Sequence, residues 1–181
     1  EANGFRKGLL FTADPYSKVM DHNDKKTATL FGDGATVTLL TEDPVFDFGK
    51  FVFGSDGSKK EGIIVREDGH VHMNGRAVFT FTVRVIPNSI RKMLEKNVIT
   101  LENIDRFLLH QGSLHIVNTI ADTLGVSREK CPFYSADYGN TVSSSVPMIL
   151  AQEFNNQEMK VAVLAGFGVG LSWASTLIFR K

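Results

Sequence analysis

His110 stands at the end of Arg106-Phe107-Leu108-Leu109, an apolar run with the pattern of a buried strand that delivers a polar ring at its edge. Neutral imidazole donates one N–H, and with an unperturbed pKa of about 6.5 it does so near neutral pH. Tyr138-Gly139-Asn140-Thr141 follows. An asparagine amide donates without titrating, which suits a place where an oxygen becomes anionic. Near the C-terminus, Gly166-Phe167-Gly168-Val169-Gly170-Leu171-Ser172-Trp173 alternates glycine with other residues. A backbone N–H such as that of Val169 can then point at a reacting oxygen while Phe167 walls an apolar pocket. Each segment also has a plainer reading: a polar strand end, a turn asparagine, a bulged strand. The glycine run is not a dinucleotide fingerprint, since it lacks that motif's spacing and its strand-to-helix context. Taken in order, the three segments are the parts that stabilise negative charge beside a thioester.

The usual companion of such a set is a cysteine nucleophile. The only cysteine, Cys131, lies in Lys130-Cys131-Pro132-Phe133-Tyr134, which reads as the entry to a strand. A nucleophilic thiol needs a helix N-terminus or a neighbouring cation to lower its pKa from about 8.5. No helix start follows Cys131, and Lys130 points to the opposite face of an extended segment. Cys131 is therefore expected to be a structural thiol.

The elements that must position these groups read as alternating strands and helices. Gly8–Asp14 is an apolar run expected as a buried strand, and Thr27–Leu40 as a strand interrupted by glycines. Thr41-Glu42-Asp43-Pro44 is a polar break, dividing the chain into 1–44 and 45–181. Phe46–Phe53 reads as an aromatic strand, followed by the turn formers Ser55-Asp56-Gly57-Ser58. Apolar residues at helical spacing from Ala77 to Met93 predict a helix over roughly 74–97, with Pro87 expected to kink or split it. Thr100–Ile104 is a capped turn. Ser113–Leu124 is a helix closed by Gly125, Ser143–Phe154 another, and Ala162–Ala165 and Ser172–Phe179 are strands. The class is α/β with a layered, mixed sheet.

Composition narrows the partners. The chain has 181 residues, 43% of them hydrophobic, and zero formal net charge. The global field favours neither nucleic acid nor an anionic membrane, although Arg84, Arg91 and Lys92 can form a local basic patch. One cysteine rules out an internal disulfide and a Cys-rich zinc site within the chain and fits a reducing, cytoplasmic compartment. No stretch reaches the roughly 18–20 apolar residues of a membrane span. The chain opens on Glu1-Ala2-Asn3 with no initiator methionine and is expected to be the surviving part of a longer protein.

Several segments together resemble the C-terminal part of the β-ketoacyl-acyl-carrier-protein synthase III family of thiolase-fold condensing enzymes. Phe31-Gly32-Asp33-Gly34-Ala35 resembles that family's F-G-D-G-A strand, and Met73-Asn74-Gly75-Arg76-Ala77-Val78-Phe79 its M-x-G-x-x-V-F helix start. His110-Gln111, Gly139-Asn140-Thr141 with Ser145-Val146-Pro147, and Gly166-Phe167-Gly168 through Trp173 resemble its active-site segments. The resemblance implies a layered αβαβα fold, mainly its C-terminal half with the last strands of the N-terminal half. It implies decarboxylative condensation of acyl-coenzyme A with malonyl-acyl-carrier protein in fatty acid biosynthesis, without a metal or cofactor. His110 and Asn140 match the enolate-stabilising pair, the Val169 N–H the oxyanion donor, and Phe167 and Gly168 the substrate wall. The family's cysteine falls before Glu1, so this chain alone is expected to be inactive. A homodimer, and a covering N-terminal half or partner subunit, are implied as well.

Two residues depart from the family pattern H-Q-A-N-x-R-I. Ser113 replaces an asparagine associated with the pantetheine arm, and His115 an arginine associated, beside Gln111, with the acidic carrier protein. Losing a charge-assisted contact of that kind costs about 1.5–3 kcal/mol. Such departures fit a divergent relative making ketones, lactones or quinolones. Readings from other classes are a non-catalytic partner subunit of a condensing enzyme and a free-standing coenzyme A-binding module.

Overall fold

A computed structural model describes Gly4 and residues 6–181; the expectation drawn from Glu1-Ala2-Asn3 lies outside the described residues. Five strands form a mixed sheet. β7 (Arg106–Leu109) runs parallel to β8 (Val161–Gly168), and β8 pairs antiparallel with β9 (Ser172–Arg180). Along the other edge of β9 lie β3 (Phe46–Phe48) and then β4 (Val52–Ser55), both antiparallel to it. The parallel β7–β8 pair needs a crossover, which α3 (Leu114–Leu124) and α4 (Ser145–Glu153) supply.

Side-chain alternation along the strands builds two cores. Phe107, Leu109, Val163, Ala165 and Leu177 pack with Ile90 and Met93 of α2 (Gly75–Asn97) and with Val117 and Ile120 of α3. Their neighbours Leu108, Ala162 and Ile178 face the opposite way, onto Ile149 of α4 and Met159. On its far side α4 meets β2 (Gly34–Thr41), which pairs with β1 (Lys7–Asp14) over the register Lys7↔Thr41 to Asp14↔Gly34. The layers are thus α2 and α3, the mixed sheet, α4, and the β1–β2 pair. That is the layered α/β arrangement expected. β2 ends at Thr41 and β3 begins at Phe46, on either side of the polar break.

Several elements differ from expectation for visible reasons. β1 was expected to be buried, yet Leu9, Leu10 and Phe11 are exposed: in the β1–β2 pair it is β2 that α4 packs against, while β1 meets mainly β2 and the turn at 142–144. The Thr27–Leu40 strand is really a short helix, α1 (Lys25–Ala28), followed by β2, because the Asp24 carboxylate accepts from the Lys26 N–H at 3.0 Å and caps a helical turn. Phe46–Phe53 is split because the Asn97 amide takes over the Lys50 backbone, accepting from its N–H at 2.7 Å and donating to its carbonyl at 3.0 Å. Pro87 neither ends nor divides α2, which runs unbroken over 23 residues. Ile86, Ile90 and Met93 around it are fully buried, each worth about 1.5–3 kcal/mol, which together exceeds the roughly 3 kcal/mol that an interior proline costs. The hairpin of β5 (Ile63–Val65) and β6 (Val71–Met73) was not anticipated. Cys131 enters no strand; it ends a helical turn over Arg128–Lys130.

Candidate active site

His110 follows β7 directly, and its N–H continues the ladder by donating to the Ala165 carbonyl at 2.8 Å. The strand register thereby fixes where the ring emerges. Its Nδ1 lies 2.6 Å from Ser145 Oγ at the start of α4. The ring meets Phe167 edge-on, with centroids 5.1 Å apart and planes at 82°. Burial lowers its pKa from 6.5 to about 4; the Val142 backbone works weakly the other way. His110 is neutral at physiological pH, and its surroundings favour that form.

Asn140 is placed by the segment that begins at Phe31. Its N–H donates to the Leu30 carbonyl at 2.8 Å, and its carbonyl accepts from Gly32 N–H at 3.0 Å. Gly139 turns the chain into this contact with a φ of +73°, and a Cβ there would stand 2.8 Å from the Leu30 carbonyl oxygen. The side-chain oxygen of Asn140 accepts from the Val142 N–H at 2.9 Å. This fixes the flip of the amide, so that Nδ2 carries the free N–H donors. Val142 itself has a left-handed backbone, φ 53°. One short segment thus serves both expected polar groups: the Val142 N–H orients Asn140, and, three residues on, the Ser145 hydroxyl meets the His110 ring.

The remaining expected residues divide. Phe167 packs on His110, while Gly168 closes β8 and Val169 opens the helical turn that leads to Leu171. Ser113 and Asn140 line a common pocket of about 510 Å³, together with Phe31, Phe133 and Tyr138. Ser113 also caps α3, accepting from the Ile116 N–H at 3.3 Å. His115 is exposed and stacks on Phe79 with ring centroids 4.8 Å apart and planes nearly parallel. Gln111 requires correction as a carrier-protein contact. It is 1% exposed. Its amide donates to the Leu109 carbonyl at 2.8 Å and accepts from the Tyr134 N–H at 3.0 Å, so it ties the His110 bend to the 132–134 loop. Cys131 sits in the core among the α2 and α3 side chains, and burial, reinforced by Asp122, pushes its thiol up to about 12. It is no nucleophile. Val142 was not singled out beforehand, and Ser145 only as part of a segment resembling the family's, with no role of its own; a valine and a serine at a helix start carry no chemical signal by themselves.

Comparison with known proteins falls on the same segments. The family model described as 3-oxoacyl-[acyl-carrier-protein] synthase III C terminal matches residues 94–179, and that of 3-oxoacyl-[acyl-carrier-protein] synthase III matches residues 1–57. The chain belongs to the 3-oxoacyl-(acyl-carrier-protein) synthase III family. Among its relatives, the β-ketoacyl-acyl-carrier-protein synthase III of Staphylococcus epidermidis is 36% identical over 98% of this chain and 58% of its own length. That of Streptococcus mutans is 35% identical over 96% of this chain and 59% of its own. Among solved structures, the synthase III of Aquifex aeolicus superposes with a TM-score of 0.93 at 27% identity, covering 99% of this chain and 59% of that one. The Thermus thermophilus enzyme gives 0.91 at 31% identity, covering 99% and 61%. The chain therefore spans about three-fifths of the synthase III proteins it matches. Within the synthase III family the layered fold is shared, and no helix among the described residues is long and apolar enough to cross a membrane.

Proposed function

We propose that this chain carries the anion-stabilising part of a 3-oxoacyl-(acyl-carrier-protein) synthase III that condenses acyl-coenzyme A with malonyl-carrier protein in fatty acid biosynthesis. The observation that carries the reading is that His110 and Asn140 are both held by the 142–145 segment, Asn140 through Val142 and His110 through Ser145. When a malonyl thioester loses carbon dioxide, the electron pair left behind spreads onto the thioester oxygen as an enolate. A neutral imidazole N–H and the Asn140 Nδ2 donate to that oxygen and lower the barrier without a proton changing hands. The enolate carbon then attacks an acyl thioester, and the Val169 N–H serves the resulting oxyanion.

The acylated nucleophile comes from polypeptide outside these residues, since Cys131 is buried and protonated. Phe167 and Gly168 line the acyl side, and Ser113 contacts the arriving thioester arm in the pocket it shares with Asn140. His115 is the carrier-protein contact on the surface. Residues 1–44 contribute to an N-terminal half and 45–181 form the C-terminal half, in a cytoplasmic homodimer that uses no metal or cofactor. The test is His110→Ala in the full-length protein, read by release of carbon dioxide from malonyl-carrier protein. A fall of about two orders of magnitude is expected, as for loss of an oxyanion donor, and an unchanged rate refutes the assignment.

A further inference from the structure

The only side-chain partner of the His110 ring among the described hydrogen bonds is Ser145, and Ser145 is completely buried at the first turn of α4. Its hydroxyl has two neighbours within hydrogen-bond range: His110 Nδ1 at 2.6 Å and the Gln111 N–H at 3.5 Å. The Gln111 amide can only donate. A serine hydroxyl carries one proton to give and two lone pairs to receive with. Because Ser145 is sealed from bulk solvent, leaving that proton unpaired costs about 1–3 kcal/mol. Of the two neighbours, Nδ1 alone can accept it.

We propose that Ser145 is the positioning residue for His110: by donating its hydroxyl proton to Nδ1, it holds the imidazole as the Nε2–H tautomer. The surroundings supply what the device needs. Burial keeps the ring neutral, so Nδ1 retains a lone pair to accept with. The Phe167 edge restricts the plane of the ring and helps keep Nδ1 beside Ser145 Oγ. Gln111, next in the chain and stitched at both ends of its amide, fixes the backbone from which His110 projects. The inference rests on the proposed function only for its rate readout; the tautomer is a property of the folded protein whatever it catalyses.

Two measurements on the full-length protein test it. Nitrogen-15 NMR of labelled imidazole should show His110 in the wild type with a protonated Nε2 and a bare Nδ1. A protonated Nδ1 overturns the proposal. In Ser145→Ala the tautomer preference should weaken, and kcat for malonyl decarboxylation should fall roughly tenfold to hundredfold, the scale of a misplaced reacting group, with KM held. Ser145→Thr, which restores a hydroxyl, should recover both. Loss in Ser145→Ala without recovery in Ser145→Thr, in a variant that is folded by circular dichroism, also overturns it. Should His110→Ala leave decarboxylation intact while the wild-type ring is the Nε2–H form, the proposed function falls and Ser145 keeps its role.

Discussion

A Cβ placed on Gly32 would stand 1.8 Å from the carbonyl oxygen of Tyr138. The two backbones touch because Phe31 and Asn140 form a parallel bridge, with hydrogen bonds from Asn140 N–H to Leu30 and from Gly32 N–H to Asn140. The glycine-bearing segment before β2 therefore seats the asparagine. Thr141 presses on Gly34 as well, though less closely: a Cβ added there would lie 2.7 Å from the threonine Cβ.

Gly32→Ala is accordingly expected to break the bridge, because backbone carbonyl cannot rotate aside as a side chain would. The loss should exceed about 2 kcal/mol of stability, in the range of a strained core overpacking. Urea denaturation of the full-length protein measures it. Decarboxylation should fall with it in any fraction that remains folded, since Asn140 moves with its backbone.

His110 makes stability depend on pH. Its folded pKa of about 4 lies below the unfolded value of 6.5, so between these values the unfolded chain binds the extra proton. Stability contributed by the neutral ring is thus complete above about pH 6.5 and is lost as pH falls toward 4. A shift of this size corresponds to on the order of 3 kcal/mol for a sealed ring. The ring is only partly shielded from solvent, which brings the expectation nearer 2 kcal/mol. Thermal melts of wild type and His110→Gln from pH 7 to pH 4 provide the check. The wild type should lose stability more steeply, and parallel curves would mean that the ring titrates normally.

The Cys131 thiol, pushed up to about 12 mainly by burial, has almost no thiolate at neutral pH. Thiol reagents should leave it untouched in the native protein and modify it fully in denaturant. Cys131→Ala should cost about 1 kcal/mol through lost packing and leave decarboxylation unchanged. Rapid labelling of native Cys131, or loss of activity on its replacement, would contradict the buried position.

Much of this arrangement is legible in the residues. Phe107-Leu108-Leu109 reads as a strand because both its faces are buried, and Gly125 marks the end of α3 because only a left-handed turn, here φ 79°, closes that helix. His110 and Asn140 stand out only as an ordered set with the glycine run, since a strand-end histidine or a turn asparagine alone is ordinary. Gln111 misleads because a polar residue after a strand looks like surface, and nothing local reveals that Leu109 and Tyr134 absorb its amide. The division of Phe46–Phe53 is equally invisible, since it depends on Asn97, far along the chain. Ser145 acts through a contact 35 residues distant in sequence. Local patterns report elements and chemical types; they do not report which side chain competes for a given backbone group.

The β1–β2 pair leads to the last expectation. Leu9, Phe11, Val37 and Leu39 are 59%, 70%, 56% and 59% exposed, and an apolar groove of about 800 Å³ runs beside them between β2, β3 and α4. Large apolar side chains on an uncovered two-stranded ribbon, with its outer strand edges open, attract further strands and apolar surfaces. The chain of 181 residues, prepared by itself, should therefore self-associate and bind a hydrophobic dye such as ANS strongly. Replacing Leu9, Phe11 and Leu39 together by threonine should reduce both, since threonine keeps strand propensity while removing most of the apolar area. Sedimentation of the two chains side by side decides the matter: a monodisperse monomer of the unaltered chain, with no dye binding, would show that this face needs no cover.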